Sequence, residues 1–229
     1  MYPTCQNSLF PPRFSAAIFD FDGTLAATTQ LWQKIDREFF EVRNIPYDHN
    51  LSKKLSPLGF AEGAHWAVEA YNLDESPEHV IAEWTAKGKA AYQHDVVLRP
   101  GAEKYIRLLR SLGIKTALAT VNDADVFASM EPRIPFFELF DVMVFGSDVG
   151  KGKDKPDLYQ DVLIRLNATA CSTIIFEDLP VALKTAKALS LTTCAVQSDD
   201  PAQNKKLLTA YADFFIESWE DPELLPKDA

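Results

Sequence analysis

The run Ala16-Ala17-Ile18-Phe19-Asp20-Phe21 constrains this chain most strongly, because it is apolar except for one acid and is closed at once by Asp22-Gly23-Thr24. Such a run reads as a short buried strand ended by a turn. The segment that follows changes character. Over residues 26–93 the apolar residues fall at helical spacing: Leu31, Ile35, Phe39 and Val42, then Phe60, Ala64, Ala67, Val68 and Tyr71, then Ile81, Trp84, Gly88 and Ala91. Each set buries one stripe of a helix. Pro46, Pro57-Leu58-Gly59 and Ser76-Pro77 separate them, so a small helical bundle is expected here. Beyond Pro100-Gly101 strands and helices alternate. Strands are expected at Lys115–Thr120, Asp141–Phe145, Thr173–Phe176, Thr192–Val196 and Phe214–Glu217. Helices are expected from Tyr105 to Leu112, from about 123, over 157–167 and over about 180–189. That alternation predicts a parallel sheet covered on both faces. The fold class is therefore α/β, with a core of residues 1–25 and 94–229 and a helical insert of residues 26–93. Both ends of the insert start near the carboxyl end of the first strand, where open α/β sheets bind ligands.

Composition excludes several classes. Of 229 residues 47% are apolar and 24% charged, which is too rich in core formers for a disordered chain. The formal net charge of −10 argues against a nucleic-acid partner and requires any anionic substrate to be met by locally concentrated positive charge. The cysteines at 5, 171 and 194 form neither a disulfide framework nor a zinc spacing, and reduced thiols fit a cytoplasmic protein. The first residues lack a signal-peptide pattern, and no apolar run approaches a membrane span, so no membrane partner is expected. The histidines at 49, 65, 79 and 94 lie in or beside the helical segment and are expected to be surface or packing residues; the aromatics Trp32, Phe39, Phe40, Trp66 and Trp84 are expected in its core, with one or two of them at the substrate mouth.

The chemistry lies at strand ends. In a parallel sheet the carboxyl ends share one edge, so Asp20 and Asp22, Thr120-Val121-Asn122, the loop Gly150-Lys151-Gly152-Lys153-Asp154-Lys155-Pro156, and Glu177-Asp178 converge on one mouth. Carboxylates gathered there repel each other by roughly 4 kcal/mol per pair at ~4 Å. A hard divalent cation relieves that repulsion, and oxygen-only ligands favour Mg²⁺ over zinc. Asp20 and Asp22, two apart on an extended strand, point to the same side, and Asp178 closes the metal site from a neighbouring strand. A metal beside a lysine and a hydroxyl suits phosphoryl transfer, whose transition state spreads negative charge over equatorial oxygens. Asp20 is the expected nucleophile, forming an aspartyl-phosphate, and Asp22 the expected general acid and base. Thr120, the amides of Val121 and Asn122, and the start of the following helix are expected to hold the phosphoryl group. Of the three lysines in the loop, Lys155 is preferred over Lys151 and Lys153 because a proline follows it.

Asp20-Phe21-Asp22-Gly23-Thr24-Leu25, Thr120-Val121-Asn122, Lys155-Pro156 and Glu177-Asp178 resemble, in order and spacing, the four motifs of the haloacid dehalogenase superfamily. The resemblance implies a Rossmann-like core, Mg²⁺ and an aspartyl-phosphate. The insert after the first motif is similar to the helical cap of the subgroup that holds phosphoglycolate phosphatases and β-phosphoglucomutases. Asp20, the backbone carbonyl of Asp22, and Asp178 would then bind Mg²⁺, and Glu177 would orient a metal-bound water or the lysine. The chain departs from the subgroup at Glu177-Asp178-Leu179-Pro180-Val181-Ala182, which lacks the usual serine and glycine, and at Ala27-Thr28, where an acid is common. The expected activity is Mg²⁺-dependent hydrolysis of a small phosphomonoester. The alternatives are a phosphosugar mutase, which needs basic residues facing the crevice, and a non-catalytic phospho-ligand binder. The sequence leaves the substrate and the oligomeric state, monomer or dimer, open.

Overall fold

Strand β1 (Ala16–Phe19) lies inside a six-stranded sheet with all four side chains buried. The structure, a computed structural model, describes residues 9–131 and 133–225, the side chains of His49 and Glu223 excepted. The other strands are β2 (Lys115–Thr120), β3 (Val142–Phe145), β4 (Thr173–Glu177), β5 (Thr192–Val196) and β6 (Phe214–Ile216). They run parallel in the order β3-β2-β1-β4-β5-β6. The helices are α1 (Thr29–Glu41), α2 (His49–Leu55), α3 (Gly59–Tyr71), α4 (Pro77–Tyr92), α5 (Ala102–Ser111), α6 (Ala124–Ala128), α7 (Phe136–Leu139), α8 (Gly146–Val149), α9 (Asp157–Leu166), α10 (Pro180–Ala188) and α11 (Lys205–Tyr211).

The chain lays β2 and β3 on one side of β1, then returns to lay β4 to β6 on the other. The gap between the carboxyl ends of β1 and β4 is therefore the switch point at which such sheets bind ligands. Alternation along the strands divides the core. Ala17, Phe19, Leu118, Ile174 and Phe176 join α5 and α7 on one face. Ala16, Ile18, Ala117, Val144 and Ile175 join α9 and α10 on the other. Phe19 stacks on Phe176 with centroids 5.0 Å apart, which ties the two strands at the switch point.

Helices α1 to α4 enclose an apolar cluster of their own, formed by Ile35, Phe39, Phe40, Leu51, Leu55, Ala64, Ala67, Val80 and Trp84. The chain leaves and rejoins the sheet at one place: Arg99 N donates to Leu25 O at 2.7 Å, and Ala26 bridges Leu98. The expected strands appear, with β1 ending two residues early because the Phe21 carbonyl turns away to accept the amides of Thr24, Leu25 and Ala26. Four helices escaped the sequence reading, α7 and α8 with four residues each and α2 and α11 with seven, all too short for a periodic stripe; α2 and α11 start on a capping side chain, Asp48 and Asn204. Val42 was expected on a buried stripe but is 72% exposed, because it lies just past the end of α1. Cys5 and the other residues of 1–8, like the tail from 226, lie outside the described residues. No helix among the described residues is long and apolar enough to cross a membrane.

Candidate active site

Asp20 follows β1 directly, and its amide still donates to Phe176 O at 3.0 Å, so ladder pairing fixes its backbone. Its side chain is 1% exposed. Glu177 and Asp178 end β4 beside it, also buried. One carboxylate oxygen from each of Asp20, Glu177 and Asp178 lies within 4.8 Å of the others. Glu177 is fully committed: Oε1 accepts the amides of Asp178 and Leu179 at 3.0 Å each, and Oε2 accepts from Lys153 Nζ at 2.8 Å. Lys153 Nζ also pairs with Asp20 Oδ1 at 2.5 Å. By contrast, Asp20 Oδ2 and Asp178 Oδ2 are buried with no hydrogen-bond partner among the described residues.

These contacts set the ionisation. Burial, then Glu177, push Asp20 up to about 8 despite the opposing Lys153. Burial, then Glu177 and Asp20, hold Asp178 well above the usual carboxylate range. For Lys153, burial alone would lower the value, but Asp20 and Glu177 hold it well above an ordinary lysine. Three buried carboxylates against one ammonium leave the cluster short of positive charge, with two oxygens unpartnered. An oxygen-only donor set with that deficit fits a hard divalent cation, and Asp20 and Asp178 have the free oxygens to hold one.

Gly23 makes room for this arrangement. Its φ is +83°, and a Cβ there would meet Asp178 Oδ2 and Cγ in hard contact. No side chain fits, so the glycine serves both the turn and the placement of Asp178. Thr24 Oγ1 faces Asp178 Oδ1 at 3.5 Å.

Asp22 points elsewhere. Its Oδ1 accepts from Thr28 Oγ1 at 2.6 Å, Trp32 Nε1 at 3.2 Å and the Tyr92 hydroxyl. Its Oδ2 accepts from Asn122 Nδ2 at 3.1 Å. Trp32 belongs to α1 and Tyr92 ends α4, so the helical insert helps to aim this acid.

The lysine expectation is corrected. Lys155 is exposed, and its Nζ pairs with the adjacent Asp154 at 2.8 Å. Lys153, two residues earlier, is the one brought to Asp20. Its loop is pinned by α3 and the residues before it: Gly152 N donates to Glu62 Oε2 at 2.8 Å and Lys153 N to Pro57 O at 2.9 Å. A Cβ on Gly152 would lie 2.7 Å from Pro57 O, so only glycine lets the loop approach. The sequence carries no signal for this choice, since Lys151 follows a glycine just as Lys153 does.

The anion-holding group is also narrower than expected. Thr120 ends β2, as foreseen, and its side chain is buried in the floor of the site. The Asn122 amide, however, donates to Thr120 Oγ1 at 3.1 Å, and its side chain serves Asp22 and the Tyr92 hydroxyl. Asn122 thus orients neighbours. The helix after it, α6, has five residues, and the Asp123 carboxylate caps it by accepting the Asp125 amide at 2.8 Å. Its N-terminus is therefore taken by a carboxylate of the chain. Val121 lines the cavity.

That cavity, of ≈ 110 Å³, lies between the insert and the sheet edge. Asp20, Asp22, Thr120 and Lys153 form its floor; Trp32, Gln33, Asp36, Ser52 and Trp84 line the side given by the insert. Trp84 belongs both to the insert's core and to this lining, and Trp32 packs against that core and lines the mouth, while Asp36 was not singled out, since a lone acid on a helix carries no motif.

A parallel sheet with this acid cluster at its switch point is the arrangement of an α/β enzyme site suited to a hard cation. Residues 17–196 match the family described as haloacid dehalogenase-like hydrolase, and the chain belongs to it. It is 30% identical over 176 residues to a phosphorylated carbohydrates phosphatase of Thermotoga maritima, covering 77% of this chain and 82% of that one. It is 26% identical over 177 residues to validoxylamine A 7'-phosphate phosphatase of Streptomyces hygroscopicus subsp. limoneus, covering 76% and 81%. The crystal structure of CbbY from Rhodobacter sphaeroides in complex with phosphate has the same fold, with a TM-score of 0.78 at 23% identity over 91% of this chain and 96% of that one. With phosphatases among its relatives, the chain is a hydrolase of the phosphoric monoester type.

Proposed function

We propose that the chain is a Mg²⁺-dependent phosphatase of small phosphomonoesters that works through an aspartyl-phosphate on Asp20. The observation that carries this reading is the buried, unpartnered Oδ2 of Asp20, on a side chain whose other oxygen is held by Lys153 and which faces a cavity shared with Thr120. The Asp20 and Asp178 side chains and the Asp22 backbone carbonyl would hold the cation, which when bound offsets the excess negative charge and draws in the phosphoryl oxygens.

The remaining steps belong to the chain. Asp20 attacks phosphorus through one carboxylate oxygen while the other would face the cation, the ester P–O bond breaks, and its electron pair leaves on the alkoxide. Asp22 gives that alkoxide a proton. Water then attacks the phosphorus of the acyl phosphate and loses a proton to Asp22, releasing inorganic phosphate and free Asp20. Lys153 and Thr120 hold the equatorial oxygens through both steps. The insert, residues 26–93, acts as a cap over the core of residues 1–25 and 94–229, keeping water from the first step. The 30%-identical phosphatase relative supports the reaction class. Turnover of p-nitrophenyl phosphate tests the reading: Asp20→Asn is expected to abolish it, and activity retained in that variant refutes the nucleophile.

A further inference from the structure

The wall of the cavity formed by α1, α2 and the segment around Asp200 has its own chemistry. Asp36, on α1, lines the cavity, and no hydrogen bond or ion pair to its carboxylate occurs among the described residues. Asp200, also in the lining, is satisfied by Ser56 Oγ at 2.8 Å and the Ala202 amide at 2.6 Å. Gln33, Ser52 and Ser56 add neutral polar groups, and Trp84 and Phe60 add aromatic faces. Trp84 is 4% exposed and its indole N–H has no acceptor among the described residues. Lys153 is the one basic side chain in this lining, and it is committed to Asp20, Glu177 and the transferred phosphoryl group.

The alcohol moiety displaced from phosphorus when Asp20 attacks has to lie against this wall. A second phosphate or a carboxylate there would be stripped of water beside Asp36 and Asp200 with no free cation to receive it. Hydroxyl groups would instead donate to the open carboxylate and exchange hydrogen bonds with Gln33 and the serines, while the aromatic faces cover ring carbons. We propose that Asp36 sets the substrate class, accepting hydroxyls of an uncharged, polyhydroxylated alcohol and turning away esters that carry a second anionic group. This rests on the phosphatase reading of the same cavity.

The test compares kcat/KM of wild-type protein on glucose 6-phosphate, glucosamine 6-phosphate, glucose 1,6-bisphosphate and phosphoglycolate, each divided by the same preparation's rate on p-nitrophenyl phosphate. Glucose 6-phosphate is expected to exceed the bisphosphate and phosphoglycolate by about a hundredfold. In Asp36→Asn that margin is expected to shrink by about tenfold, and in Asp36→Lys further still. A wild-type preference for the bisphosphate or phosphoglycolate overturns the assignment, and so does a margin unchanged in both variants. A preference of more than tenfold for the amino sugar overturns the uncharged class in favour of a cationic one. The wild-type ratios stand even where a variant misfolds. Failure to release phosphate from any ester strikes the phosphatase reading, whereas p-nitrophenyl phosphate turnover with the wrong ranking strikes only the role of Asp36.

Discussion

Lys153 meets Asp20 at 2.5 Å deep in the switch-point crevice, and the same ammonium lies 2.8 Å from Glu177. Glu177 in turn is held by two backbone amides, so it fixes the lysine and the lysine fixes Asp20. Lys155 takes no part, being exposed and paired with its neighbour.

The two lysines should therefore separate cleanly. Lys153→Met is expected to lower p-nitrophenyl phosphate turnover by about a thousandfold, since it removes the charge held against the transferred oxygens. It should also cost about 3–5 kcal/mol of stability, because Asp20 and Glu177 are left buried and unpaired. Lys155→Ala should change activity by less than about threefold and leave the stability within ~0.5 kcal/mol, as expected of an exposed pair. Loss of activity in Lys155→Ala with retention in Lys153→Met would reverse the assignment.

Metal binding has a readout independent of turnover. With Asp20 Oδ2 and Asp178 Oδ2 unpartnered among the described residues, Mg²⁺ added to chelator-treated protein should raise the melting temperature. At a hundred times its dissociation constant the gain is about 2.7 kcal/mol. Asp178→Asn should abolish the rise while the protein stays folded by circular dichroism. An undiminished rise in that variant would place the ion elsewhere.

Gly23→Ala joins two penalties, a residue forced to φ +83° and a Cβ driven into the Asp178 carboxylate. The backbone penalty alone is about 1–2 kcal/mol. A total loss of roughly 2–4 kcal/mol is expected in urea denaturation, together with a weakened response to Mg²⁺. A neutral effect on both would show that the turn has room the distances deny.

The donors on Asp22 should act through its proton. Tyr92→Phe and Trp32→Phe each remove one hydrogen bond to Asp22 Oδ1. Alkyl phosphates, whose leaving alkoxide needs a proton, should slow by about tenfold, and p-nitrophenyl phosphate less, because nitrophenolate leaves unaided. Equal slowing of both would mean the two residues only support packing.

Asp36 should leave a mark on stability. Burial pushes its carboxyl up to about 7. A carboxyl raised in the folded state binds a proton there that the unfolded chain releases from near pH 4, so stability falls as pH rises from about 4 to 7. Each tenfold change in proton affinity is worth about 1.4 kcal/mol, and the group is only part-buried at the cavity wall, so about 1–2 kcal/mol is the expected total. Asp36→Asn should be more stable than wild type at pH 8 and should lose that difference at pH 4. An identical pH profile for both proteins would show that this carboxyl titrates as it does in water.

Much of the site was legible without coordinates because it rests on local patterns. A buried strand that ends in Asp-x-Asp-Gly-Thr carries its own register, and Thr120 and Glu177-Asp178 stand where apolar runs stop, so a parallel sheet delivers them to one edge. Lys153 was not legible, because the loop 150–156 offers three lysines with no periodicity. What draws the second inward is the anchoring of Gly152 and Lys153 by Glu62 and Pro57, residues of a segment some ninety positions away. Trp32, Tyr92 and Asp36 were hidden for the same reason. Helical spacing says which face of α1 and α4 is apolar, but not which polar tips reach across to Asp22 or stand open to the cavity. Those pairings arise when the insert seats on the sheet, and long-range contact between separately patterned segments leaves no trace in either segment alone.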